Sequence, residues 1–158
     1  MPTHAETRYL PFKPAELYKL VADVESYPEF LPWCVGARIR KREQEKLGEG
    51  SREVLIADLV IGFKMVRERY TSRVELNDGR IDVAYIEGPF KYLNNHWIFR
   101  PAADGGTDLD FSVDFEFRNR LLQGIIGALF NEAVKRMVLA FEHRAEVLYE
   151  KTGVLPSE

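Results

Sequence analysis

A chain of 158 residues has the size of one ordinary domain, and at that size folding buries about 69% of the surface the unfolded chain exposes. Hydrophobic residues at 46% and charged residues at 30% exclude a disordered or fibrous chain. The 22 basic side chains set against 25 acidic ones leave a net charge of −3, so no overall basic excess exists to drive DNA binding by phosphate neutralisation.

Residues 3–12 predict a short strand that stops before Pro14, and Pro14 suits the first turn of a helix. Ala15, Leu17, Tyr18, Leu20 and Val21 give that helix an apolar face to about Asp23, and a second helical turn is expected near Pro28 to Leu31. Six strands follow, at about 35–46, 50–61, 64–76, 80–87, 92–101 and 107–117. Gly48-Glu49-Gly50, Asn77-Asp78-Gly79 and Ala103 to Gly106 mark turns between them. In the last strand Leu109, Phe111, Val113, Phe115 and Phe117 alternate with polar residues, which makes one face apolar and the other wet. Beyond Asn119, a cap, the spacing is helical to about Lys151, with Leu122, Ile125, Ile126, Leu129, Ala133, Met137, Ala140, Phe141 and Leu148 as the apolar stripe. This order predicts an α+β fold, an antiparallel sheet of about seven strands wrapped around a long C-terminal helix.

The start of that helix, Leu121 to Phe130, is apolar on nearly every side, more than a helix covering one sheet face needs. The excess faces core, ligand, partner or membrane, and Gly124 and Gly127 admit a close approach to the backbone or local movement there. No linker divides the chain, so residues 1–158 are read as a single domain. The lone cysteine, Cys34, removes any internal disulfide or cysteine-based zinc site and fits a reducing compartment. The longest apolar run, Gly124 to Phe130, is far below the roughly 20 residues of a membrane span. The first residues carry no signal or transit pattern. A cytoplasmic location is expected, with peripheral attachment to the inner membrane left open.

Two segments carry a resemblance. Tyr27-Pro28-Glu29-Phe30-Leu31-Pro32-Trp33-Cys34, preceded by Asp23-Val24, resembles the hallmark of the coenzyme Q-binding branch of the START-like, polyketide-cyclase-type superfamily. Gly88-Pro89-Phe90 and the aromatic strand that follows, to Phe99, resemble its second block. The resemblance implies a helix-grip fold over nearly the whole chain, with a hydrophobic cavity between sheet and helix that binds ubiquinone or a similar prenylated lipid. No cofactor is required on this view, ubiquinone being a bound ligand of a quinone carrier or chaperone that supports respiration. Bacterial relatives include a ribosome-association toxin, which implies the large ribosomal subunit as an alternative partner. A polyketide cyclase-like enzyme is the further alternative. The nominated cavity lining is Pro32, Trp33, Phe90, Leu93, Trp97, Leu122, Ile125, Ile126 and Leu129, and ligand entry is expected to move 27–34 against the first turns of the C-terminal helix.

The residues themselves give catalysis no support. His4, His96 and His143 are scattered without ligand spacing, so no metal site is expected, and no Ser-His-Asp or phosphate-loop pattern exists. His96 either meets a quinone carbonyl or finds a local partner. Cys34 fits a small buried residue better than a nucleophile. Asp58 interrupts an apolar strand and is read as facing solvent, the alternative being a buried acid of raised pKa. Arg67, Arg69 and Arg73 share one strand face, and Arg38, Arg40 and Arg42 repeat the alternation one strand earlier. That pattern is a solvated sheet face or a basic patch for acidic lipid or ribosomal RNA.

Overall fold

In the computed structural model, residues 3–63 and 66–152 are described, without the side chains of Phe63, Val66, Ile126, Leu129 and Asn131. The elements run β1 (Thr3–Leu10), α1 (Pro14–Ala22), a 3-10 turn (Val24–Glu29), β2 (Cys34–Leu47), β3 (Gly50–Phe63), β4 (Val66–Asn77), β5 (Arg80–Glu87), β6 (Phe90–Pro101), β7 (Thr107–Phe117) and α2 (Arg120–Leu148). All pairings are antiparallel, in the order β1-β7-β6-β5-β4-β3-β2. The meander β2 to β7 is thus closed at one side by β1, while α1 and the 3-10 turn carry the chain across to the far edge. Register shifts in the β2–β3, β4–β5 and β6–β7 pairings mark irregularities at which strands bend.

Local chemistry sets the helix starts. Glu16 Oε1 accepts the Lys13 amide at 3.2 Å ahead of Pro14, and Asn119 Oδ1 accepts the Leu121 and Leu122 amides at 2.8 and 3.3 Å. The strand alternation of β7 holds: Leu109, Phe111 and Phe117 are buried. Leu109 and Phe111 join Leu55, Ala57, Val74, Ile81, Trp97 and Phe99 from the sheet and Leu17, Leu20 and Val21 from α1 in one core, and Phe117 joins a second cluster with Phe90, Leu93 and Leu122.

The helix buries part of the stripe its spacing suggested, Leu122 and Phe141 with Met137 half-buried, and adds residues outside that stripe. Leu122, Phe130, Val134, Val138, Phe141 and Ala145 are buried, whereas Ile125 and Leu148 are 40% and 47% exposed. Apolar residues occupy so many positions of α2 that periodicity alone does not choose the buried face. Packing against α1, β1 and β7 chooses it. Gly124 and Gly127 are both exposed, and a Cβ at either meets nothing within 4 Å among the described residues, so no close backbone approach explains them.

Candidate functional site

The inward faces of β3 to β7, together with α1, the 3-10 turn and the second half of α2, border a mainly apolar cavity of about 180 Å³. Tyr27, Leu31, Trp33 and Cys34 form one wall, and Met137 and Phe141 of α2 stand on the helix side. Tyr70, Ser72 and Val74 of β4 and Leu93, Asn95 and Trp97 of β6 line the sheet side. Rings give this space its shape: Trp97 and Phe141 meet at 5.0 Å between centroids, Tyr27 and Phe141 at 5.5 Å, and Phe30 and Phe141 at 5.1 Å. Arg144 lies over the Phe30 ring at 5.3 Å and reaches Glu29 at 3.1 Å. Among the described residues, the 27–34 segment is therefore held by the second half of α2 rather than by its first turns.

Most polar atoms at the lining are spent on the protein. Tyr27 donates its hydroxyl to the Val21 carbonyl. Asn95 Nδ2 donates to the Ser112 carbonyl at 2.9 Å while its Oδ1 accepts from Trp97 Nε1 at 2.8 Å. Cys34 Sγ donates to the Gly36 carbonyl at 3.4 Å. Burial pushes the Cys34 thiol up and pushes the Tyr27 and Tyr70 phenols well up. A thiol so placed is a poor nucleophile at neutral pH. Ser72 is left over: its side chain is buried and its Oγ has no hydrogen-bond partner among the described residues.

Of the nominated lining residues, the structure brings Trp33, Leu93 and Trp97 to the cavity. Phe90 and Leu122 are buried one layer away, in a cluster with Phe117 whose partly buried neighbours Tyr70 and Ile61 do line it. Phe90 packs edge-on to Tyr70 at 5.3 Å. Pro32 and Ile125 are exposed, and neither lines the cavity. The side chains of Ile126 and Leu129 lie outside the described residues. The Gly88-Pro89-Phe90 block acts as a clasp on the start of α2, since Arg118 donates from its amide to the Pro89 carbonyl and from Nε to the Phe90 carbonyl, both at 2.9 Å. Gly88 has φ +142°, and a Cβ there falls 2.6 Å from Tyr70 Cβ, so the turn needs glycine.

His96 does not face the cavity. It lies on the outward side of β6, with Nδ1 at 2.6 Å from Asp82 of β5, beside a shallow open depression that Thr7, Asp110 and Ser112 also line. Asp58 also departs from expectation. Its side chain is 6% exposed, beside Arg40 at 2.6 Å and Arg38 at 3.6 Å, with Thr71 Oγ1 donating at 2.6 Å. Desolvation pushes its carboxyl up, but the hydrogen bonds from Thr71 and Arg40 and the Arg40 and Arg69 charges together outweigh it and hold the pKa below its usual value. On the same outward face Arg52 and Arg73 are locked with Glu45 and Glu75. Arg67 and Arg69 are exposed and form no ion pair among the described residues. No group of three or more potential metal-ligating side chains occurs among the described residues.

The sequence profile of the polyketide cyclase/dehydrase and lipid transport family matches residues 10–142. The chain belongs to this family. It is 43% identical over 145 residues to a ribosome association toxin of Rickettsia prowazekii, covering 89% of this chain and 93% of the relative. It is 33% identical over 156 residues to a mitochondrial coenzyme Q-binding protein COQ10 homolog of Xenopus laevis, covering 96% of this chain and 61% of that longer protein. A START superfamily protein from Mycobacterium smegmatis superposes with a TM-score of 0.75 at 19% identity, over 93% of this chain and 99% of that one. The seven-stranded antiparallel sheet closed by a C-terminal helix is the helix-grip fold of this family. No helix among the described residues is long and apolar enough to cross a membrane.

Proposed function

We propose that this protein binds an isoprenoid quinone, ubiquinone or a close relative, in the cavity between sheet and helix, and acts as a carrier without catalysing a reaction or requiring a cofactor. The observation that carries this reading is the cavity itself, an apolar space framed by Trp33, Trp97 and Phe141 with few polar groups left over. Such a lining suits a flat ring and the first carbons of its chain, since each buried methylene contributes about 0.8 kcal/mol without directional recognition. The likeness to the COQ10 homolog supports the quinone over other lipids. Transient contact with a bilayer, the source of any such ligand, fits the exposed Leu121 and Ile125 at the start of α2. Native mass spectrometry of the purified protein, with extraction of bound lipid, tests this directly. Co-purified quinone supports it, and a stable protein that takes up no quinone from vesicles sinks it.

A second reading rests on a different surface. Arg38, Arg40, Arg67 and Arg69 gather on the outward side of β2 and β4 and leave a local basic area despite the net negative charge. Together with the likeness to the ribosome association toxin, this favours contact with the phosphates of the large ribosomal subunit. Its test is sedimentation with purified large subunits at rising salt. Binding lost in an Arg67→Glu, Arg69→Glu double variant supports it, and binding that ignores both salt and the variant refutes it. A cyclase-like activity gains nothing from the lining, where the one thiol has a raised pKa and His96 faces away.

A further inference from the structure

We propose that the Ser72 hydroxyl is the polar anchor of the cavity, donating to a carbonyl oxygen of the quinone head group, so that the ring lies innermost and the isoprenoid tail leads outward. This rests on the quinone reading above and adds to it an orientation and a residue.

Ser72 sits on the inward face of β4 between Tyr70 and Val74, and all three line the cavity. It is 0% exposed, and its Oγ finds no partner among the described residues. Native proteins rarely leave a buried hydroxyl unpaired, because the lost hydration is not returned. The neighbouring polar groups do not solve the problem, since Asn95 and Tyr27 are already hydrogen-bonded to other groups of the chain. A ligand atom that accepts a hydrogen bond does satisfy it. An isoprenoid tail has no acceptor, whereas a quinone ring has two carbonyl oxygens. The dimensions agree: about 180 Å³ is below the roughly 300–1,000 Å³ of pockets that swallow a whole ligand. The space suits a ring and excludes a ring together with a long tail. Head-first insertion also sets the flat ring among Trp33, Trp97 and Phe141, where aromatic stacking is available.

The experiment compares decylubiquinone with farnesane, an isoprenoid hydrocarbon lacking any acceptor, by quenching or displacement at the fluorescence of Trp33 and Trp97. The proteins are the wild type, Ser72→Ala and Tyr70→Phe. Expected is a loss of about fivefold in decylubiquinone affinity for Ser72→Ala, the size of one hydrogen bond, with farnesane binding unchanged. The infrared carbonyl band of the bound quinone should shift toward its unbonded position in that variant alone. Thermal unfolding of ligand-free Ser72→Ala should be unchanged or raised, because the variant removes an unpaired hydroxyl. If the alanine variant folds poorly, Ser72→Cys, of nearly the same size with a weaker donor, should give a smaller loss in the same direction. Undiminished affinity and an unshifted band in Ser72→Ala overturn the proposal, as does a loss confined to Tyr70→Phe. Wild-type protein that binds farnesane and not the quinone removes the quinone reading while leaving a lipid cavity, and the anchor falls with it.

Discussion

Asp58 illustrates how a single side chain keeps the direction that strand alternation gives it and still loses the exposure expected of that direction. Its position on β3 points outward, as alternation requires, but the register sets it opposite Arg38 on one side and Thr71 on the other. The irregular pairing between Ile39 and Lys41 places Arg40 beside it as well. Those neighbours cover the carboxylate, and no rule of alternation in one strand anticipates cover supplied by two others. Because the folded pKa is below the unfolded one, the ionised carboxylate stabilises the fold above about pH 4, and that stability is lost as pH falls through the folded value. Asp58→Asn should therefore cost about 1–3 kcal/mol at pH 7, with a smaller further loss than the wild type between pH 5 and pH 3 in urea titrations. Equal pH slopes in the two proteins would assign the acid sensitivity elsewhere. Ser72 and His96 show the opposite case. Alternation already places Ser72 with Tyr70 and Val74, and His96 opposite Trp97, so both orientations were legible from parity. What parity could not supply was which inward hydroxyl lacks a partner, since that depends on every strand around it.

At the scale of the element, α2 separates what a helical period can and cannot fix. Its existence, cap and approximate ends follow from Asn119 and the spacing of apolar residues, and the described helix ends at Leu148, a few positions before the expected stop. Its buried face did not follow, because Ile125, Phe130, Val134, Val138 and Leu139 are all apolar and the partners that select among them come from β1, β7 and α1. Phe141→Ala should cost about 3–5 kcal/mol, because this ring meets Trp97, Tyr27 and Phe30 at once. Ile125→Ala, at a largely exposed site, should cost far less, and denaturant midpoints compare the two. Gly124 and Gly127 are open to a methyl group on the described surroundings, so Gly→Ala at each should stabilise the helix by about 0.5–1 kcal/mol. A destabilised alanine variant would show that something outside those surroundings packs against the glycine. The two motif blocks likewise divide by role: 27–34 supplies the cavity wall, whereas Gly88 to Phe90 mainly clamps β6 to the start of α2.

For the whole molecule, the cavity poses a question of access. Its volume of about 180 Å³ holds a head group, so a quinone with a long tail must pass the wall that borders it. The sheet side of that wall is held by ladder hydrogen bonds, which makes it costly to open. On the other side, the 27–34 segment is joined to α2 by the ring contacts of Tyr27 and Phe30 with Phe141 and by the Arg144–Glu29 pair. Glu29 is 60% exposed and Arg144 only 23%, and an ion pair this open to solvent contributes about 1 kcal/mol or less. Pro28 and Pro32 stiffen the segment between its ends, so it is suited to swing as a unit away from Phe141. Hydrogen exchange with and without decylubiquinone checks this. Protection should rise together in 27–34 and in 137–144, where the segment meets the helix, and the first turns of α2 should change less. Glu29→Gln should speed exchange in both regions of the ligand-free protein while leaving the sheet unaffected. Quinone that binds with equal protection gained across β3 to β7, and none in 27–34, would place the entrance at the sheet and remove the segment's role as the moving wall.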